Sequence, residues 1–279
     1  MQIEIALASQ EESLLSFDYL YGLHSALMHC LTVAKSDLAD TLHNGSHRNR
    51  IKLFSFSPLS SMPQPRLVQV ENDKRKRMLL GKRVWFRIAS PWPELLNNLG
   101  EGLLRTGTLS ICGKSFKVTG VAMTAPPEFS EHMTWRPFGQ AASICCSWTQ
   151  SGSEQKTYVY PDTVENNTPA CERLLIDNLR HKWLRLREIR PDITESWLKD
   201  AEMKTLPEAN NIKIEFLPLD ERRAYRTMQH YAKNSLIRSW RCPVCVSAPI
   251  PLQRLIWGSG LGEMGSQGYG LMQEGKSCC

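Results

Sequence analysis

The sequence has no apolar run approaching the roughly 18 residues that a membrane helix needs. Its first residues, MQIEIALAS, show no basic region followed by an apolar stretch. A secretory leader and a membrane span are therefore both unexpected. An even cysteine framework is also missing: the nine cysteines are odd in number, and Cys145-Cys146 and Cys278-Cys279 are adjacent. Adjacent thiols make poor disulfide frameworks, so free thiols in a reducing cytoplasm are the economical reading. No P-loop or Ser-His-Asp signature is present. Charge of one sign is only mildly in surplus, at a formal +6 with a pI near 8.8. Such a surplus leans towards polyanionic partners without requiring one.

Hydrophobic residues make up 42% of the chain and charged residues 22%. This balance suits a globular protein and argues against long disorder. At 279 residues the chain exceeds a typical single domain, and two domains are expected. Met1 to Ala8 alternates, with Ile3, Ile5 and Leu7 on one face, as in a half-buried strand. From Leu20 the period becomes helical, placing Leu20, Leu23, Leu27, Leu31 and Ala34 on one stripe. A second helical piece is expected over Ser36 to Leu42, ended by His43-Asn44-Gly45. Strands are expected over 51–56, 83–88, 108–111 and 115–123, and a helix over 94–104. That order is β-α-β-β-α-β-like. The proline-bearing stretch 125–138 reads as a linker. A second round follows, with strands over 141–149 and 156–160, a helix over 168–188, and strands over 212–217 and 239–248. The expected class is α+β, two tandem ferredoxin-like (RRM-like) domains over 1–124 and 139–279, with a C-terminal glycine-rich loop.

Gly260-Leu261-Gly262-Glu263-Met264-Gly265 matches the spacing of a dinucleotide-binding fingerprint. That motif needs a following helix, a second strand and an acidic residue about 20 positions on. Only 14 residues follow Gly265, too few to build the unit. What remains is a loop with five glycines between 260 and 270. Successive N–H groups in such a loop can cup a phosphate; the plain alternative is a flexible glycine-rich tail.

The segment GSGLGEMGSQGYGLM closely resembles the C-terminal loop of CRISPR-associated repeat-cleaving endoribonucleases, Cas family six. Upstream, LHNGSHRNRIKLFSFSPL resembles the same family's N-terminal signature, a Leu-His turn followed by a strand ending in Phe-x-Phe-Ser-x-Leu. Between them, Val159-Tyr160-Pro161 and a helix carrying Asn178-Leu179 and Lys182 also fit. The resemblance implies paired ferredoxin-like domains that bind CRISPR repeat RNA, both precursor and mature crRNA. It also implies cleavage that leaves a 2′,3′-cyclic phosphate.

Cutting RNA without metal uses the ribose 2′-hydroxyl as nucleophile. It needs a base, an acid and positive charge near the phosphorane. Histidine can take either proton role near neutrality. His43 stands where the resemblance puts the catalytic histidine. His29 lies about half a turn from the leucine stripe and is a candidate second acid–base group or a solvated surface residue. His24 borders the stripe and reads as structural, while His47 lies in a polar loop. Lys52 matches the position of a charge-steadying lysine, or is a plain solvent-facing strand residue.

RNA-binding candidates are Gly260, Gly262, Gly265, Gly268, Tyr269 and Gly270 in the loop. Arg48 and Arg50 before the strand, and Arg180, Lys182, Arg185 and Arg187 on the second-domain helix, join them. Lys74 to Arg77 reads as a phosphate-gripping loop or a solvated turn, and Arg222, Arg223 and Arg226 add a further cluster. Cys242-Pro-Val-Cys245 looks like half a zinc site, but no second pair follows. No metal or other cofactor is expected. The function expected is a metal-independent endoribonuclease acting on precursor crRNA, with other Cas effector subunits as further candidate partners. The alternative is a non-catalytic subunit that holds a guide RNA.

Overall fold

A computed structural model describes residues 1–16, 18–34, 38, 52–70, 76–139, 144–149, 156–159, 161, 168–206, 211–217, 226–232 and 235–275. The alternation at the start folds as its period implies. β1 (Gln2–Ala8) buries Ile3, Ile5 and Leu7 on one side. It lies in the middle of a sheet with β3 (Ser55–Phe56), β7 (Arg83–Ala89), β8 (Thr108–Ile111) and β9 (Lys114–Thr124). The order is β3-β7-β1-β9-β8, with β4 (Ser60–Met62) also on β7. Every pairing is antiparallel.

Two helices cover the apolar face of this sheet. α1 (Tyr19–Ala34) buries Leu20, Leu23, Leu27 and Leu31, the predicted stripe. α2 (Pro93–Thr106) buries Leu95, Leu96, Leu99 and Leu103. Proline at its first turn lacks only an N–H that has no intrahelical partner there. Gly107, at φ 64°, closes its end by donating to the Leu103 carbonyl at 3.0 Å. A side sheet, β2 (Ser13–Leu15), β6 (Lys76–Leu80) and β5 (Arg66–Gln69), in the order β2-β6-β5, has no counterpart in the sequence reading. Its strands are short and largely half-exposed, so they carry little apolar alternation.

The second sheet runs in the order β13-β16-β10-β17, from β10 (His132–Pro137), β13 (Lys213–Phe216), β16 (Val244–Ser247) and β17 (Met272–Glu274). The helices belonging to it are α3 (Thr168–Ile189) between its first two strands and α5 (Ile250–Ser259) before its last. β1 lies between β7 and β9 as β10 lies between β16 and β17, the ferredoxin-like arrangement, here in tandem. α4 (Pro191–Asp200) extends α3 past Arg190. Two hairpins, β11 (Cys146–Thr149) with β12 (Lys156–Val159) and β14 (Arg226–Ala232) with β15 (Ser235–Arg241), meet through a bridge between Ile144 and Trp240.

Several boundaries differ from the sequence reading, for physical reasons. The stretch 125–138 contains β10, whose Met133 and Trp135 are buried, so the connection between the sheets is only 125–131. The prolines at 126 and 127 mark the break; Pro137 merely ends the strand. Of the strand expected over 51–56, Ile51 lies outside the described residues and only Ser55–Phe56 pair in the sheet, as β3; Leu53 to Phe56 are all buried. The strand expected over 239–248 is split into the end of β15 and β16, where Pro243 cannot donate to a ladder. The expected helical piece 36–42 lies outside the described residues, apart from Leu38.

The two sheets are joined by buried polar contacts as well as apolar ones. Gln2 Nε2 donates to the Trp257 carbonyl at 3.1 Å and the Met272 carbonyl at 2.9 Å. Gly258 of α5 lies against Pro91, where an added Cβ would sit 3.0 Å from its backbone. The Arg87 guanidinium covers the Phe138 ring at 4.2 Å. No helix among the described residues is long and apolar enough to cross a membrane.

Candidate functional site

α5 is apolar on nearly every side and ends where glycines begin. Gly260 has φ 75° and ψ 177°, a region that residues with a side chain avoid. An added Cβ there would also run into the Gly270 carbonyl. Gly270 is equally constrained against the Leu261 carbonyl. The two glycines thus let the strands of the loop touch at its base, where Leu261 N–H donates to the Gly270 carbonyl at 2.8 Å. Glu263 N–H then donates to the Cys145 carbonyl at 2.7 Å, tying the loop to the second domain's hairpin. Met264, with φ 59°, turns the chain into a single 3₁₀ turn, Gly265–Gln267.

That turn meets the first domain. A Cβ on Gly265 would lie 2.9 Å from the Phe54 carbonyl, and one on Gly268 would lie 2.9 Å from Leu20 of α1. The loop is therefore a wedge between the domains. Gly260, Gly262, Gly268, Tyr269 and Gly270 are buried, and only Glu263 to Gln267 keep part of their surface. Tyr269 is 3% exposed and packs beside Cys145 and Ile237. Burial pushes its hydroxyl well above the ordinary tyrosine range. A dense glycine pattern in sequence signals an exposed cradle and a close-packed wedge equally well.

Of the first-domain candidates, His24, His29 and Lys52 lie within the described residues. Lys52 is half-buried and directly precedes the buried run Leu53 to Leu59. His24 stacks on Phe54, ring centroids 6.3 Å apart and planes 7° apart. His29, five residues on, is exposed on another face of α1. The structure thus brings His24, read as structural, to the segment that follows Lys52. Its position four residues after Leu20, on the stripe's border, is the sequence signal that pointed there. His43, His47, Arg48 and Arg50 lie outside the described residues.

The basic candidates of α3 do not share one face. Lys182 is buried and donates from Nζ to the Ser259 carbonyl at 3.1 Å and the Gly260 carbonyl at 2.9 Å. Burial lowers its pKa to about 7, opposed by the charge of Glu263. Glu263 in turn accepts from Ser147 Oγ at 2.7 Å. Arg185 pairs with Glu188 at 2.6 Å. Arg180 and Arg187 fall at heptad spacing with Arg173, forming one stripe along the outer side of the helix. Lys76 and Arg77 belong to β6; Lys74, Arg75, Arg222 and Arg223 lie outside the described residues. In the Cys-Pro-Val-Cys segment, Cys242 is buried while Cys245 approaches Thr134 Oγ1 at 3.7 Å. Among the described residues no three His, Cys, Asp or Glu side chains gather as a metal site would require.

Comparison with known proteins places this geometry. Residues 14–122 match the family model described as CRISPR-associated protein Cas6, N-terminal. Residues 125–274 match that described as CRISPR associated protein Cas6, C-terminal. No curated protein matches the sequence significantly. Among solved structures, a Cas6-related protein from Pyrococcus furiosus is similar at TM-score 0.73 and 17% identity, over 99% of this chain and 98% of its own. A RAMP protein described as binding different RNA substrates also reaches 0.73, at 16% identity over 99% of this chain and all (100%) of its own. A Cas6 product complex reaches 0.59 at 16% identity, over 98% of each chain. At such identities the structural likeness establishes the fold, while the two models cover both domains in order. The chain belongs to the CRISPR-associated Cas6 family.

Proposed function

We propose that this protein binds CRISPR repeat RNA and cuts precursor crRNA without a metal ion. The ribose 2′-oxygen attacks the adjacent phosphorus and the bond to the 5′-oxygen breaks, giving a 2′,3′-cyclic phosphate and a 5′-hydroxyl. His43 takes or supplies a proton, with His29 as the second candidate for the complementary role. Lys52 offsets the charge that gathers on the phosphorane. Arg48 and Arg50 lie close enough in sequence to Lys52 to grip neighbouring phosphates. Arg180, Arg185 and Arg187 extend the basic surface over the second domain, and the partly exposed loop tip offers backbone N–H groups.

The observation that carries the reading is the wedge. In a Cas6 family chain, the glycine-rich loop of one domain rests against the strand that follows Lys52 in the other. RNA lying across the seam would meet both.

The test is incubation of labelled repeat RNA with pure protein in EDTA. Defined products ending in a cyclic phosphate are expected from the wild type. His43→Ala should abolish cutting while leaving the RNA shift in a gel. A 2′-deoxy nucleotide at the scissile position should block cleavage by the intact enzyme. Cutting that persists on that substrate, or that demands Mg²⁺, overturns the mechanism. A shifted but uncut wild-type complex would favour a guide-holding subunit.

A further inference from the structure

Lys182 sits where a cation is expensive. It is 4% exposed, and the charge of Glu263 acts on it. Its hydrogen-bond partners are two main-chain carbonyls, Ser259 and Gly260, at the end of α5. The last carbonyls of a helix have no partner within it and carry the negative end of its dipole, so an ammonium satisfies both demands. Desolvation still disfavours the charged form, and the Glu263 charge offsets this only in part. An apolar side chain of the same length would avoid that penalty but leave both carbonyls unpaired, so the two effects offset each other. Stability alone is a poor account of this residue.

The bonds hold a specific piece of backbone. Gly260 is the first residue of the wedge, and its α-carbon faces both the Gly270 carbonyl and Ser55 Oγ. From there the chain runs through Leu261 and Glu263, each fixed by its N–H, to the turn that backs onto Phe54. Phe54 is two residues from Lys52 and stacks with His24. Lys182 thus sits at one end of a continuous line of contacts whose other end is the first-domain part of the RNA site.

We propose that Lys182 is a positioning residue for RNA processing: it touches no RNA, and it locks the base of the glycine-rich loop so that the loop tip lies against the strand behind Lys52. The proposal rests on the RNA-processing function proposed above. It removes Lys182 from the phosphate-contacting set in which the sequence alone would place it.

The experiment compares the full-length wild type with Lys182→Met. Three quantities are read: melting temperature, affinity for the repeat RNA, and single-turnover cleavage at saturating RNA. Hydrogen exchange at the Leu261 and Glu263 amides gives a fourth, with the amides of β9 as internal control. The variant should stay folded, with a melting temperature lowered only as two stranded carbonyls require, exchange its loop amides faster, and leave the β9 amides unchanged. Its single-turnover rate should fall on the order of 100-fold, as for a misplacement of about 1 Å at a reacting site. The salt dependence of RNA affinity should keep the wild-type slope, since no phosphate contact is lost.

Should Lys182→Met fail to fold, Lys182→Gln, which keeps an N–H donor, is measured in the same way. Failure of both to fold makes the lysine a structural member and overturns the proposal. So does a rate equal to wild type, or a salt slope shallower by about one. A wild type that neither binds nor cuts repeat RNA refutes the parent function instead, and the positioning role with it.

Discussion

At the scale of single residues, the candidate site is shaped by groups that are constrained rather than reactive. Gly260 and Gly270 are required because their backbones touch, and Lys182 donates to two carbonyls that end a helix in the protein interior. The lysine makes a pH prediction. Its folded pKa, about 7, lies below the ordinary 10.5. Between those values the unfolded chain holds a proton that the folded chain has released, so this group makes stability rise with pH across the window. Glu263 on the loop is the charged group that opposes the shift. In chemical denaturation, the stability of Lys182→Met minus that of wild type should be greatest at and below pH 7 and shrink towards pH 10. A gap that stays constant would mean that Lys182 does not lose its proton in the folded state.

At the scale of elements, α5 shows why periodicity failed as a guide. Its residues Pro251, Leu252, Gln253, Leu255, Ile256 and Trp257 are all buried, so no polar face marks the helical period. No element is expected over this stretch from the sequence. Gln253 seats this helix. Its Oε1 accepts from Trp135 Nε1 at 2.7 Å, and its Nε2 donates to the Val246 carbonyl at 2.8 Å and the Glu131 carbonyl at 3.1 Å. One amide therefore ties α5 to β10, to β16 and to the chain leading into β10. Gln253→Leu keeps the bulk but strands a buried indole N–H and a carbonyl. Each such orphan costs about 1–3 kcal/mol, so the variant should lose several degrees of melting temperature by calorimetry. An unchanged melting temperature would show that another group takes over those partners.

At the scale of the molecule, the two ferredoxin-like domains are fastened by more than their connection. Gln2 reaches from the first strand of one domain to α5 and β17 of the other, and the glycine wedge fills the seam beside α1 and β3. Neither domain can leave the other without exposing buried backbone carbonyls and apolar surface. Heat should therefore unfold the protein in one calorimetric transition, with calorimetric and van't Hoff enthalpies equal. Two resolved peaks would show that the seam contributes little.

The sequence by itself determined the local pieces. The alternation of β1, the leucine stripe of α1, and the helices α2 and α3 were all legible, because each declares its period in neighbouring residues. The family resemblance was legible too, in short motifs that keep their order along the chain. Only the tertiary structure decided what those motifs face. It turned the glycine-rich segment from an open cradle into a wedge with a small exposed tip, and Lys182 from a surface cation into a buried clamp. It also brought His24 to Phe54. These outcomes depend on contacts between residues up to 200 or more positions apart, such as Phe54 with Gly265 and Gln2 with Trp257. Burial is a property of the assembled whole, so no local pattern of charge or glycine encodes it.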